Sequence, residues 1–205
     1  MTQNIYIKQV SVGPMQNFAY LVGAEGSKGC ALIDPSWDAK KLVNEAEKDG
    51  RAIEAILLTH THFDHVNALE DVAKKVKAPV YIHGAEAHAL PKGLDVQTTK
   101  EGFVIEAAGL KIKCLHTPGH SPGSQCFMID GAIFTGDTLF VEGCGRVDLE
   151  GGSPDDMVIS LSRLGELPGD TVVYPGHDYG GKSTSTIEKQ RASNPYMNEM
   201  AETIM

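Results

Sequence analysis

Three histidines and one aspartate lie within six residues of this chain, at His60, His62, Asp64 and His65, directly after an apolar run at 55–58. The run predicts a buried β-strand, so the cluster occupies the loop at the end of that strand. Imidazole nitrogens and carboxylate oxygens are ligands for Zn, Fe and Mn. The cluster therefore predicts a metal site at the edge of a sheet, where a substrate can reach it.

Three later segments repeat one pattern, in which an apolar run is followed by Gly or Pro and then by a residue that can bind a metal. They contribute His120, Asp137 and His177. The seven candidate ligands offer nitrogen or oxygen and no thiolate, which argues against a structural cysteine-type zinc site. One tetrahedral ion needs fewer ligands than this. We therefore expect two divalent metal ions, for which Zn is the first choice and Fe or Mn are the alternatives. Asp137 is a candidate bridge between the two ions.

The remaining histidines have weaker claims to chemistry. His83 and His88 flank a predicted short helix, and we expect surface or packing roles for both. His116 precedes the turn to His120. It either donates a hydrogen bond that orients this loop or a metal ligand, or it has a structural role.

Length, composition and charge limit the class of protein. The 205 residues carry a formal charge of −9 and are 41% hydrophobic, which predicts one globular domain over residues 1–205. The sequence shows no basic face for nucleic acid and no apolar stretch that could span a bilayer. Met1–Asn4 lacks the pattern of a secretion signal, and the four cysteines have no CxxC spacing. We expect a cytoplasmic protein whose partner is a small molecule, and the sequence leaves its oligomeric state open.

Apolar periodicity predicts the elements that must position the ligands. Strands are predicted over 5–10, 18–22, 30–33, 53–58, 80–82, 103–105, 110–115, 125–129, 132–135 and 171–174. Helices are predicted over 38–49, 66–76, 85–90, 154–164 and 185–192. Strands in hairpin runs with helices between them favour an α+β fold, in which two sheets flanked by helices would bury the apolar faces.

The ligand motifs, in their order along the chain, resemble those of the metallo-β-lactamase superfamily over essentially the whole sequence. The motifs are the segment 59–65, Gly119-His120, Gly136-Asp137 and Gly176-His177. The resemblance implies an αββα sandwich, with two mixed β-sheets flanked by helices and the metals at one edge. It also implies one ion held by His60, His62 and His120, and a second held by Asp64, His65 and His177. In this scheme Asp137 bridges the two ions together with a water or hydroxide.

Within the superfamily, segments 136–140 and 143–146 look like the glyoxalase II group, which hydrolyses hydroxyacyl-glutathione thioesters. That resemblance implies a metal-bridging hydroxide as nucleophile, with Asp64 and Asp137 as catalytic residues. The common zinc β-lactamases usually carry Cys where Asp137 stands, so antibiotic hydrolysis is not expected. The loop after Arg146 differs from the Lys- and Tyr-bearing loop of glyoxalase II, which leaves the thiol carrier open.

A second resemblance competes with the first. Segments 143–148, 167–170, 174–179, 185–188 and 194–195 are similar to persulfide dioxygenases. Those proteins use one iron held by two histidines and one carboxylate, which would map to His60, His120 and Asp137. Gly176 favours the hydrolase, because the dioxygenases mostly have Ala in that place. A metal-binding protein without catalysis is the third hypothesis.

Two further residues are candidates for contact with the substrate. Arg146 would contact an anionic part of the substrate, and the alternative is an ion pair with an acid such as Asp148. Tyr179 either contacts the substrate or packs against the protein.

Overall fold

The computed structural model describes residues 4–198. Within them the strands are β1 (Ile5–Val12), β2 (Asn17–Ala24), β3 (Gly29–Ile33), β4 (Ala52–Leu57), β5 (Val80–His83), β6 (Val96–Thr99), β7 (Val104–Ala107), β8 (Leu110–His116), β9 (Gln125–Ile129), β10 (Ala132–Gly136), β11 (Leu139–Phe140), β12 (Gly143–Cys144), β13 (Val172–Pro175) and β14 (Ser185–Thr186). The α-helices are α1 (Ala39–Lys48), α2 (Phe63–Val66), α3 (Leu69–Val76), α4 (Pro154–Gly165), α5 (Ile187–Ser193) and α6 (Pro195–Asn198).

The strands form two six-stranded mixed sheets. The first sheet has the order β1-β2-β3-β4-β5-β6, antiparallel from β1 to β3 and parallel from β3 to β6. The second has the order β14-β13-β10-β9-β8-β7 and is antiparallel except for the parallel pair β10 and β13. Strands β11 and β12 form a separate two-stranded ribbon.

Buried residues form three apolar layers, which define an αββα sandwich. Strand β3 shows why, since it alternates between faces and is buried on both. Cys30 and Leu32 pack in the layer shared with α1 and α3, whereas Ala31 and Ile33 pack in the layer between the two sheets. A third layer lies between the second sheet and helices α4 and α5. The predicted architecture of two mixed sheets flanked by helices is confirmed.

Helix α4 illustrates how local sequence sets an element that covers a sheet. The Ser153 side chain caps the first turn, and Pro154 occupies a position where its missing N–H costs nothing. Met157, Leu161 and Leu164 follow at helical spacing and are buried against the second sheet.

The structure differs from the predicted elements in several places. The helix predicted over 66–76 begins only at residue 69, as α3, and a separate short helix, α2, precedes it and begins inside the histidine cluster. The segment 85–90 contains only a short 3-10 turn at Ala87–Ala89. The segment 185–192 begins as strand β14 before it becomes α5. Strands β6, β11 and β12 and helix α6 were not predicted.

Some expectations reach beyond the described residues. The expected domain covers residues 1–205, and its positions 1–3 and 199–205 lie outside the described residues. Positions 1–3 also belong to the N-terminal segment that lacks the pattern of a secretion signal. Among the helices between residues 4 and 198, none is long and apolar enough to cross a bilayer.

Candidate metal centre

The ends of strands from both sheets converge at one edge of the sandwich. His60 lies just after β4, and Asp137 and His177 lie just after β10 and β13, which run parallel and therefore end at the same edge. His120 lies in the loop between β8 and β9. The sheets meet here, because Phe18 of β2 donates a backbone hydrogen bond to the Gly176 carbonyl at 2.8 Å. The topology thus brings distant segments to one place.

All seven sequence-predicted ligands lie together at this edge. They form three sets of side chains, and within each set the potential ligand atoms lie within 4.8 Å of one another. The first donor group is His60, His62 and His120; the second donor group is Asp64, His65 and His177; the mixed group is His60, His65 and Asp137.

The hydrogen bonds behind His60 determine which of its ring nitrogens faces the centre. The Thr59 hydroxyl donates its proton to Asp34 Oδ2 at 2.7 Å. The same hydroxyl lies 3.0 Å from His60 Nδ1, so Nδ1 must be the donor in that second contact. His60 Nε2 therefore carries the lone pair that a metal ion requires.

Three other histidines are oriented in the same way, each donating from Nδ1 to an oxygen behind the ring. The acceptors are Asp34 Oδ2 for His65 (2.9 Å), the Arg146 carbonyl for His120 (2.7 Å) and the Met15 carbonyl for His177 (2.9 Å). Such contacts fix the orientation of metal-binding imidazoles and raise their basicity. His62 is the exception, since it places Nδ1 in the centre, 2.7 Å from His120 Nε2.

Two buried polar atoms in the centre lack a hydrogen-bond partner within the described part of the chain, His60 Nε2 and Asp137 Oδ1. An unpaired buried polar atom costs about 1–3 kcal/mol. A coordinated cation would satisfy both atoms at once. The centre therefore fits divalent metal ions by its donor chemistry and by its unsatisfied atoms.

The electrostatics of the centre also favour added positive charge. Burial, then the neighbouring His65, holds the pKa of His60 well below its usual range, which keeps the ring neutral. Burial would raise the pKa of Asp64, but His177 and His65 outweigh it and lower that pKa to about 2. Burial would likewise lower the pKa of His177, but Asp137 and Asp64 outweigh it and raise that pKa to about 9. The carboxylates stay ionised and attract cations.

Asp34 is a functional residue that the sequence reasoning missed. Its buried carboxylate accepts hydrogen bonds from the Thr59 backbone and hydroxyl as well as from His65. It directly follows β3, which pairs in parallel with β4, so Asp34 and the histidine cluster leave the sheet at the same edge. In the sequence Asp34 is visible only as an acid that directly follows a strand, and its role becomes evident once β3 is seen to pair with β4.

Asn17 was also missed. Its side-chain amide donates to Asp64 Oδ2 at 2.9 Å, and its side-chain carbonyl accepts from Trp37 Nε1 at 2.8 Å. Asn17 therefore holds one carboxylate oxygen of Asp64 in place. No local motif marks it, since it is the first residue of an ordinary strand.

Glu86 connects two of the ligand loops. Its buried carboxylate accepts from the backbone and hydroxyl of Thr61, both at 2.6 Å, and from the Gly123 backbone at 2.9 Å. It also accepts from the Ser121 hydroxyl. The loop that carries His62 and the loop that carries His120 are thereby fixed to each other.

The two predicted substrate-contact residues lie next to the centre. Arg146 forms a two-pronged ion pair with Asp148, at 2.9 Å for each contact, and both side chains are exposed. Tyr179 is exposed on one side, and its ring stacks on His177 with the ring centres 4.5 Å apart. The geometry thus contains the ion pair considered for Arg146, and it places Tyr179 against a candidate ligand.

The other histidines do not join the centre. His83 and His116 stack on each other with ring centres 3.9 Å apart, and His116 Nε2 lies 2.9 Å from the Pro122 carbonyl. His88 lies on the wall of a neighbouring cleft.

Comparison with known protein families assigns the chain to a superfamily. The family model described as Metallo-beta-lactamase superfamily matches residues 12–177, which is most of the sequence. The chain belongs to this superfamily, whose members bind divalent metals and include metal-dependent hydrolases.

Two curated relatives illustrate the range of hydrolases to which the chain is similar. One is a probable polyketide biosynthesis zinc-dependent hydrolase, BaeB, from Bacillus velezensis, with 33% identity over 182 residues that cover 88% of this chain and 81% of that protein. Another is the hydroxyacylglutathione hydrolase from Maricaulis maris, with 39% identity over 165 residues. That match covers 80% of this chain but only 62% of the relative.

Solved structures share the fold. ETHE1 from Myxococcus xanthus superposes with a TM-score of 0.86 at 27% identity, covering 97% of this chain and 91% of that chain. The B3 metallo-beta-lactamase BLEG-1 gives 0.86 at 31% identity, with 94% and 100% coverage. TTHA1623, solved in a di-iron-bound form, gives 0.80 at 37% identity, with 92% and 99% coverage. The fold is therefore shared by proteins with different names and activities.

Proposed function

We propose that this protein hydrolyses a small thioester, as hydroxyacylglutathione hydrolase does. In this proposal the reaction uses two divalent metal ions, and Zn is the first choice of metal. The observation that carries the proposal is the convergence of seven nitrogen and oxygen donors, including two buried atoms that lack a hydrogen-bond partner among residues 4–198. A sandwich of this size needs no such cluster for its own packing, because three apolar layers already supply the core.

The proposal assigns one ion to the first donor group and the other to the second donor group. Asp137 is close to both, with Oδ2 at 3.5 Å from His120 Nε2 and at 3.3 Å from His177 Nε2. Its Oδ1 lies 3.2 Å from His65 Nε2. Asp137 is therefore the proposed bridge. Bound divalent ions lower the pKa of water and polarise a carbonyl group, which is the chemistry that thioester hydrolysis requires.

The residues of the chain supply position and charge for this reaction. Asp64 stays ionised and is held by Asn17, so its carboxylate can orient an attacking water molecule. The leaving group is a thiol with an ordinary pKa of about 8.5, and its thiolate departs without strong help from an acid. The proposed catalytic residues are therefore Asp64 and Asp137.

The similarity to hydroxyacylglutathione hydrolase at 39% identity supports the thioester class. The chain spans less than two thirds of that enzyme, so glutathione as carrier rests on the proposal alone. Arg146 and Tyr179 remain the proposed substrate contacts. We also propose a cytoplasmic protein with a small-molecule partner and without nucleic-acid or membrane partners, in keeping with four cysteines that are all free.

The test is metal analysis of protein purified without added metal, together with turnover of S-lactoylglutathione. Two Zn-like equivalents per chain with thioester hydrolysis are expected. Metal bound at two equivalents without turnover of any thioester in a panel would contradict the proposed reaction and favour a metal-binding protein without catalysis.

A mononuclear iron persulfide dioxygenase is the second candidate. The observation that favours it is the similarity to ETHE1 over 97% of this chain, together with the sequence segments described above. One equivalent of iron, with oxygen uptake in the presence of glutathione persulfide, would replace the hydrolase proposal with this one.

A further inference from the structure

A cleft of about 610 Å³ opens beside the candidate metal centre. Its inner end is formed by Thr61 and His62, so it is continuous with the first donor group. One wall comes from the segment around Ala85 and Ala89, which follows β5. A molecule whose reacting carbonyl lies at the metals can extend into this cleft.

Two further loops in close contact line the cleft. Leu149 and Gly151 belong to one loop, and Pro122 belongs to the loop that carries His120. Gly151 has a φ of +78°, and a Cβ added there would lie 2.9 Å from the Pro122 ring, so glycine permits this approach. The packing of the two loops brings the apolar side chains of Leu149 and Pro122 to the lining.

The permanently charged side chains of the cleft are acids. Of the eleven residues that line it, all in the described part of the chain, Glu86 and Glu150 are acids, His62 and His88 are histidines, and none is Lys or Arg. Glu86 is buried and bound to backbone and hydroxyl groups, whereas Glu150 is exposed. The lining therefore offers a carboxylate no lysine or arginine to pair with, and it presents one exposed acid.

The nearest cation on the same loop is already engaged. Arg146 directs its guanidinium to Asp148 through both Nε and Nη2, and the pair is exposed. An exposed pair is weak, about 0–1 kcal/mol, and Arg146 is not among the residues that line the cleft.

We propose that this cleft binds the carrier part of the substrate and that it selects uncharged carrier thiols over carriers with a carboxylate. Apolar side chains contact a neutral amide chain, and Glu150 repels an anionic one. The inference rests on the proposed function, because it places the reacting thioester at the metal centre.

Binding of matched, non-hydrolysable thioethers tests the inference. S-hexyl-N-butanoylcysteamine and S-hexyl-N-succinylcysteamine have the same chain length and differ in one terminal carboxylate. Calorimetry on the metal-loaded protein should show that the neutral compound binds about threefold to tenfold more tightly. Equal binding, or tighter binding of the carboxylate, would overturn the proposal.

Variants locate the effect in the cleft. Glu150→Lys should abolish or reverse the preference for the neutral thioether, because it replaces a repelling charge with an attracting one. Glu106→Lys is the matched control, since Glu106 is an exposed acid on β7 and does not line the cleft. Leu149→Ala should weaken both thioethers about threefold or more. A shift with Glu106→Lys as large as that with Glu150→Lys would show a general charge effect and would contradict the proposal.

Turnover separates this inference from the proposed function. The lactoyl thioesters of the same two carriers should show the same preference, with a higher kcat/KM for the neutral carrier than for the carrier with a carboxylate. If neither thioester is hydrolysed but the neutral thioether binds more tightly, the cleft assignment stands and the proposed reaction fails. If both are hydrolysed with no preference, the reaction stands and the cleft assignment fails.

Discussion

The first donor group consists of three histidines, whereas the second contains two histidines and one aspartate. Each group has two buried members and one half-buried member, His62 in the first and Asp64 in the second. The surroundings differ, because the cleft is lined by His62 and by no member of the second donor group, while the Tyr179 ring covers His177. Under the proposed function, we therefore expect the first donor group to border the carrier part of the substrate.

Asp137→Ala should have the largest effect, because Asp137 lies against a member of each group, His120 of the first and His177 of the second. Loss of a residue behind a metal ligand costs about 10–100-fold in metal affinity or activity, so loss of this ligand should exceed the upper figure. Metal analysis and thioester turnover should fall together. Full metal occupancy in the variant would contradict the bridging role.

Gly176→Ala should separate the two groups. A Cβ at position 176 would lie 2.5 Å from Asp137 Oδ1 and 2.9 Å from His65 Cε1, so it would displace His65 of the second donor group together with the adjacent oxygen of Asp137. We expect metal content to fall from two equivalents to one, with hydrolysis reduced more than about tenfold.

Gly181→Ala is the matched control for this change, because a Cβ there would meet nothing within 4 Å. It should keep both ions and full activity. Two equivalents of metal in Gly176→Ala would show that the second donor group tolerates the methyl group, and the steric argument would be wrong.

Asp34→Asn should weaken the second donor group without removing a ligand. The variant keeps an Asp-like shape at a φ of 51°, which Asn adopts more readily than most residues. It removes the negative charge that accepts the His65 Nδ1 proton, so metal affinity should fall about 10–100-fold. Competition with a chelator measures this. Asp130→Asn, at another positive φ in the β9–β10 turn, should leave affinity unchanged.

His83→Ala should have the smallest effect. His83 contacts His116 and not the metal centre, so activity should stay within about twofold, while loss of the stacked pair should reduce stability by about 0.5–1.5 kcal/mol. Kinetics and thermal unfolding measure the two quantities. A large loss of activity at normal stability would show that this pair acts on the reaction.

Elements with strong periodicity were predictable from the sequence, and weakly patterned ones were not. Strand β3 carries a continuous apolar run because both of its faces are buried. Strand β6 is a short edge strand in which only one of four residues is buried, so it gives no such signal. Helix α2 has only four residues and no side-chain cap, which explains why its start inside the histidine cluster was missed.

The candidate metal ligands could be predicted from the sequence, but the residues that hydrogen-bond to those ligands could not. His, Asp and Gly at strand ends form a pattern that repeats along the chain. Asp34 and Asn17 act only once β2, β3 and β4 are side by side, and no local spacing reports that pairing. The selection of an uncharged carrier likewise depends on loops that meet only in the folded protein.

The seam between the two sheets passes through the metal centre, since β2 and the segment after β13 are hydrogen-bonded at Phe18 and at the bridge between Asn17 and His177. A ligand that binds only the folded chain stabilises it in proportion to the logarithm of its free concentration. Resistance to unfolding, and with it survival against cellular proteases, should therefore rise and fall with the supply of the ion. The metal-free chain is therefore the form that we expect a protease to cleave first, and added ion should slow that cleavage.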